Sequence, residues 1–426
     1  MGSVLHVAKG FSPLDEELAL LPGGLTPSLA EHLVHLAAWM PFAPAARMLK
    51  RLLRVEVSEA TVRRRTEQAG AAYVSIQTAE VERLEKESPP VPEGPALQQM
   101  SVDGAFVPVV GGEWAEVKTL AIGTITESVG KEGEKEVHTR DLSYFSRLAE
   151  HESFGRLATV ETQRRGTERA GKVAAVVDGA DWEQGFIDLH RPDAVRILDW
   201  GHASEYVAKA GQAVFGAGTA TVSEWLSGSL HELRHGDPEV VLKELRVLRD
   251  QEAAAGESAA LGVVTGSLAY LEKRREQIRY AEFAAQGYPI GSGAVESANK
   301  LVIQARLKGA GMHWAREQVN PMVALRNIVC NDRWEEGWSQ VHTRLRQATR
   351  ERSREHRTRR QAPTADVSSA VSEETTAPPY QVVTAEPITD GPIGRRPTIV
   401  NGRPTAEHPW KKYSIFHSRR QTSARN

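Results

Sequence analysis

The chain has 426 residues, 40% hydrophobic and 25% charged, enough for two or three domains each with its own core. A net charge of −2 excludes a uniformly basic coat for nucleic acid but leaves room for local basic stripes. The single cysteine, Cys330, excludes an internal disulfide and fits a reducing, cytoplasmic setting. The start, MGSVLHVAKGFSPLDEE, carries charges where a signal peptide needs an apolar core, and no apolar run predicts a membrane span.

Residues 1 to about 25 read as irregular, with Pro13, Pro22 and the Gly23-Gly24 pair. From Thr26 the pattern is helical. Leu29, Leu33 and Leu36 mark one helix, Pro41 and Pro44 punctuate it, and Ala45, Met48, Leu49 and Leu52 mark a second. After a break at 54–57, Ser58 is the expected N-cap of a third helix that carries Arg63, Arg64 and Arg65, with Gly70 a candidate stop. Helix, short turn and arginine-rich helix read as a helix-turn-helix-like unit, its arginines suited to phosphates and Ser58, Thr61 and Gln68 to positioning or readout. The plainer alternative is a helical hairpin with a solvated basic face. Four prolines in SPPVPEGPAL make a semi-rigid linker that closes an N-terminal helical domain and linker over 1–97.

At Met100 the pattern turns to strands: 101–110, 114–125 with alternating Val117, Thr119 and Ala121, and a weaker third at 136–145. A helix with Phe154, Leu157 and Val160 inward follows. Val173 to Val177 is an unbroken apolar run, Trp182, Phe186 and Leu189 sit at helical spacing, and Val195 to Leu198 is a second buried strand. The order β-β-β-α-β-α-β-α predicts an α/β fold, an antiparallel meander extended by parallel strands with helical crossovers. Residues 203–286 read only as helix, an all-helical insertion. Then GYPIGSGAVESANK opens with helix breakers and starts a helix near Ser292, whose apolar face is Val295, Ala298, Val302 and Ala305. Glu296, Asn299 and Lys300 share the neighbouring face, a carboxylate with an amide and an ammonium one turn on. Residues 287–345 continue the sheet domain. Residues 346–426 are a basic helix ending near Arg360 and a disordered tail whose HPWKKYSIFHSRR interleaves aromatics with basic residues.

The carboxylates suggest the chemistry. Asp103 lies inside an apolar strand, where a lone charge costs several kcal/mol, roughly, unless paired or bound to metal. Asp178 and Asp199 each end a buried strand; for either alone a loop cap is the ordinary explanation. Carboxylates at strand ends together with Glu296, without cysteine or a tight histidine pair, favour a hard cation, Mg²⁺ or Mn²⁺. Two such ions stabilise the attacking and leaving oxygens of an in-line phosphoryl displacement. No P-loop, Rossmann glycine pattern or zinc signature is present.

The motifs SVDGAFV, VVDGADW, ILDWGHASEYV and GYPIGSGAVESANK followed by RLKGAGMHW resemble a bacterial insertion-sequence transposase of the ISKra family, a group allied to the Mutator-like DDE transposases. The resemblance spans roughly residues 10 to 340, with HPWKK in the tail. It implies a ribonuclease H-like catalytic domain, split into 98–202 and 287–345 by the insertion. It implies cleavage at terminal inverted repeats and transfer of 3′-OH ends into target DNA with two Mg²⁺ or Mn²⁺ ions. It also implies DNA as partner and a homodimer or higher oligomer on DNA. Asp199-Trp200-Gly201-His202 is similar to the group's Asp-x-x-His, and Glu296 with Asn299 to its Glu-x-x-Asn. Asp178 and Asp199 compete for the middle catalytic position. The resemblance implies that the second acid lies on the strand beside the first. The expected catalytic and metal set is thus Asp103, Asp178 and Glu296, supported by Asp199, His202, Asn299 and Lys300, with Arg306 and Lys308 at the DNA. Competing readings are a nuclease or resolvase of the same fold without strand transfer, and a catalytically idle, domesticated DNA-binding protein.

Overall fold

Among the described residues three helices precede the sheet: α1 (Pro27–Trp39), α2 (Phe42–Leu53) and α3 (Glu59–Glu87). They belong to a computed structural model that describes residues 25–129, 135–256 and 258–361, with a short strand pair at Ile399–Val400 and Arg403–Pro404. The irregular start, most of the tail and its HPWKK segment lie outside the described residues. The chain up to residue 362 forms one compact unit and the remainder a second.

Five strands follow: β1 (Leu97–Pro108), β2 (Trp114–Val129), β3 (Lys135–Arg147), β4 (Lys172–Val177) and β5 (Val195–Leu198). Their order is β3-β2-β1-β4-β5, with β1–β2 and β2–β3 antiparallel and β1–β4 and β4–β5 parallel. This is the mixed α/β sheet that the element order predicts. β1 starts at Leu97 rather than at 101, because Leu97 to Met100 pair with Lys172 to Ala175. Gln98 and Gln99 hid that start. Both are buried, and both find partners: the Gln98 amide donates to the Arg165 carbonyl, and Gln99 to the Ser101 hydroxyl.

Helices α4 (His151–Arg164) and α5 (Asp181–His190) cover one face, where Phe154, Ala158 and Phe186 pack on Val102, Ile122, Val173 and Val177. Between β5 and residue 286 the described chain is helical, as expected: α6 (Trp200–Phe215), α7 (Ala220–His235), α8 (Pro238–Ala255), α9 (Ala259–Lys273) and α10 (Tyr280–Ala285). This block packs Val207, Leu245, Leu268 and Tyr280 on Ala174, Val176 and Ile197. Helix α11 (Gly293–Ala298) runs on through a π-helical stretch (Asn299–Gln304) into a last turn (Ala305–Leu307). It buries Val295, Ala298 and Val302 against Ala105, Val107 and Val117. The expected fourth member of that face, Ala305, is exposed, and Arg306 and Leu307 are buried instead. The extra residue of the π turn advances the helix phase by one position.

Helices α12 (Arg316–Cys330) and α13 (Trp334–Gln361) complete the unit and share a core with α1–α3. His35 stacks on Trp334, and Trp334 on Trp338. Ser58 caps α3, accepting from the Thr61 N–H at 3.2 Å, but Gly70 does not stop the helix. A Cβ there would overlap the Pro321 main chain of α12, so Gly70 marks the crossing of two helices rather than an end. Among the described residues no helix is long and apolar enough to cross a membrane.

Gly70→Ala sets two terms in opposition. Helix propensity favours Ala by about 1 kcal/mol, while overlap with a backbone that cannot step aside costs about 1–3 kcal/mol. Net destabilisation is expected in a denaturant titration; a stabilised variant would show that the helices can move apart freely.

Candidate metal centre

The ladder registers bring three aspartates level. The β1–β4 pairing ends at Met100–Ala175, and the same register, carried three residues on, sets Asp103 opposite Asp178. The β4–β5 pairing ends at Val177–Leu198, so Asp178 and Asp199 follow side by side. Two groups of side chains result, each with ligand atoms within 4.8 Å of one another: Asp103, Asp178 and Glu183, and Asp178, Asp199 and His202. Asp178 belongs to both.

Asp103 accepts from its neighbour's N–H, Gly104, at 2.6 Å and from the Asn299 amide at 2.7 Å. Burial and the nearby Asp178 charge push its carboxyl up to about 6. Glu183 was not singled out in the sequence, where it reads as one polar residue in an amphipathic helix. It lies at the third position of α5, accepts from the Ala180 N–H at 2.9 Å and is 2% exposed. Burial first, then Asp178, push it up to about 8. Its one legible signal is a carboxylate three residues after a helix start, which is also the signal of a cap.

The second group is bound together differently. His202 Nδ1 lies 3.1 Å from Asp178 and 3.5 Å from Asp199, and these bonds raise its pKa to about 10. In that protonated form the imidazolium offers no lone pair and ion pairs hold the trio together. Burial pushes Asp199 up, but His202 and the N–H groups of Ser292 and His202 outweigh that and hold it at about 2. One Asp199 oxygen caps α6 through the His202 N–H at 2.9 Å; the other accepts the Ser292 N–H at 2.6 Å. The Trp200 N–H donates to the Ile290 carbonyl alongside. The loop that leads into α11 is thereby fastened to the end of β5.

The helical block fixes Asp178 from the other side. Tyr270 Oη donates to the Asp178 carbonyl, and Arg274 donates through Nε at 3.0 Å and through Nη2 to the Gly179 carbonyl. Gly179 has φ of 84°, and a Cβ there would collide with the Arg274 guanidinium.

The other expected residues divide. Asn299 reaches the centre; Glu296 belongs to neither group. Its side chain is 53% exposed and sits 3.7 Å from Lys300, itself exposed. A carboxylate facing Asp103 and Asp178 without a cation is better hydrated beside an ammonium. Arg306 is withdrawn from the surface: it is 2% exposed, donates to the Ala37 carbonyl at 2.9 Å and packs over Phe42 and Trp314. The π turn that rotates Ala305 outward rotates Arg306 into this seam. Lys308 stays exposed, 5.6 Å from the Trp114 ring centroid. Arg63 and Arg64 are exposed, while Arg65 is partly buried and donates to Gln68 at 2.9 Å.

A divalent cation fits the first group. Its donors are all oxygen, burial and the neighbouring Asp178 charge push the carboxyls of Asp103 and Glu183 up, and the Asn299 Oδ1 beside it is buried without a hydrogen-bond partner. No family model matches the chain, and no curated protein matches it.

A carboxylate with a raised native pKa contributes stability that is complete below its unfolded pKa and is lost as pH rises through the native value. For Glu183 that window runs from 4.5 to about 8. In EDTA, Glu183→Gln should match the parent at pH 4.5 and exceed it at pH 8 by ~2–4 kcal/mol in denaturant titrations. A constant gap across that range would show that Glu183 does not carry this strain.

Proposed function

We propose that the chain is a DNA transposase of the DDE type, cutting at element ends and transferring 3′-OH ends into target DNA with Mg²⁺ or Mn²⁺. The observation that carries this reading is the alignment of Asp103 and Asp178 on neighbouring parallel strands, with Asn299 of α11 on Asp103. The order β3-β2-β1-β4-β5, with helices on both faces, supports a ribonuclease H-like reading of the sheet. The five-residue connection 54–58 between α2 and α3 supports a helix-turn-helix-like reading of the N-terminal helices, and the exposed Arg63 and Arg64 support phosphate contact there.

In this reading Asp103 and Asp178 hold the cation, and Glu296, not locked by burial, joins them from the first turn of α11. Bound there, a divalent ion polarises a phosphoryl oxygen and lowers the pKa of an attacking water or hydroxyl. His202 orients Asp178 through their 3.1 Å contact, Asn299 holds Asp103, and Asp199 sets the position of the loop before α11. DNA is the partner, on which the protein assembles as a dimer or higher oligomer in the cytoplasm.

Cleavage and strand transfer are measured with labelled duplexes carrying the element's ends. Asp178→Asn should abolish both while leaving end binding intact. Asp199→Asn should retain activity reduced ~10–100-fold, as for other groups that orient a metal ligand. Glu296→Gln should be inactive and Glu183→Gln active; the opposite result would make Glu183 the third ligand. Full turnover after exhaustive EDTA treatment would reject the mechanism, and cleavage without transfer would favour the nuclease.

A further inference from the structure

The helix that begins with α11 carries one main-chain carbonyl more than it can satisfy. In its π-helical stretch the Ala305 N–H donates to the Lys300 carbonyl, five residues back, and touches the Ile303 carbonyl as well. By Lys308 the α-helical step has returned, its N–H donating to the Gln304 carbonyl at 3.1 Å. The four carbonyls from 300 to 303 therefore face only three N–H groups of the helix, those of 305, 306 and 307. One carbonyl is left over, and a buried carbonyl without a donor is costly.

Arg326 of α12 supplies the missing donor. Its Nη2 donates to the Leu301 carbonyl and its Nε to that of Val302 at 3.2 Å, while Nη1 donates to the Ala38 carbonyl at the end of α1 at 3.0 Å. The residue is 1% exposed, with its guanidinium 4.5 Å from the Trp39 ring centroid. Among the described residues it has no carboxylate partner. A cation buried against carbonyls alone costs more than an apolar side chain of similar length, so packing does not account for its presence. The place of the surplus residue does. Nothing within a helix fixes where such a residue sits: if the wide turn moves by one position, the residue it passes turns by about 100° around the axis. Asn299 opens the wide stretch and donates to Asp103 at 2.7 Å. One step of the wide turn toward the N-terminus would swing Asn299 off that carboxylate.

We propose that Arg326 is a positioning residue for the metal centre: it pins the wide turn at Leu301 and Val302 and so holds Asn299 on Asp103. This inference rests on the reading of Asp103 and Asp178 as cation ligands. The third arm of the guanidinium, on the Ala38 carbonyl, ties the end of α1 to the same turn.

The test uses the full chain without DNA and Mn²⁺ as the probe, free Mn²⁺ being read from its EPR signal. Asn299→Ala should weaken binding ~10–100-fold, as for other groups that orient a metal ligand. Arg326→Met, similar in length but without donors, should weaken it by a comparable factor. In the double variant N299A/R326M the loss should stay near that of the larger single variant, because one acts through the other; independent effects would multiply. Arg326→Lys, which keeps donors on a shorter stem, should fall between the parent and Arg326→Met, and it replaces Arg326→Met in the cycle where that variant does not fold. Arg147→Met removes another buried arginine, bonded to Gln77 of α3, and should bind Mn²⁺ as the parent does. Losses that multiply, or parental affinity in either single variant, overturn the inference. An equal loss in Arg147→Met would reduce the effect to general loosening and overturn it too. A parent that binds no Mn²⁺ overturns the metal centre and the inference together. A parent that binds Mn²⁺ with the expected cycle, yet cuts no labelled ends, overturns the transposase reading and leaves this inference standing.

Discussion

The parallel pairing of β1 with β4 is the constraint on which the site depends. Four backbone pairs, Leu97–Lys172 to Met100–Ala175, set the register of a central strand buried on both sides. A slip of one residue would turn Asp103 to the opposite face of the sheet and separate it from Asp178. The register is held by side chains from other layers. Above it Phe154 and Phe186 fill one face; below it Ala174 and Val176 meet the helical block. The buried glutamines of β1 add to this hold: the Gln98 amide donates to the Arg165 carbonyl, and Gln99 Oε1 accepts from the Thr139 hydroxyl across the sheet.

The helical block between β5 and α11 braces the ends of the parallel strands. Tyr270 of its α9 and Arg274, just past that helix, donate to consecutive carbonyls at 178 and 179, and Tyr280 donates to the Leu198 carbonyl at 2.9 Å. Tyr206 stacks on Tyr270, carrying the contact back to α6. The ends of β4 and β5, where the carboxylates stand, are therefore clamped by a segment that contributes no acid to either group.

Much of this was legible in the sequence because it is written in periodicity. The apolar runs before Asp178 and Asp199 announced buried parallel strands, and the paired prolines and glycines fixed most boundaries. Asp103 stood out as a charge inside an apolar strand. What stayed hidden was set by tertiary contact. Gly70 looked like a stop because its partner, the Pro321 backbone, is about 250 residues away. Glu183 did not stand out because its proximity to Asp103 follows from where α5 docks. Arg306 looked like a phosphate ligand because its aromatic seat, Phe42 and Trp314, is assembled from two distant segments.

The π-helical stretch gives chain length a role that residue identity cannot fill. Between the turn that bears Glu296 and the seam that holds Arg306, the helix contains one more residue than an α-helix would need to keep Ala305 on its buried face. Arg306 is fixed at one end, through Ala37 and two aromatic rings, and Ser292 at the other, through Asp199. Removing a single residue from 300–304 would convert the stretch to a plain α-helix and turn its two ends against each other by roughly 100°. One anchor would have to yield, and Asn299 would leave Asp103 or Arg306 would leave its seat. Homologous chains that keep this centre are therefore constrained in the count of residues between the two anchors, a constraint that a substitution scan would not detect and an insertion–deletion scan would.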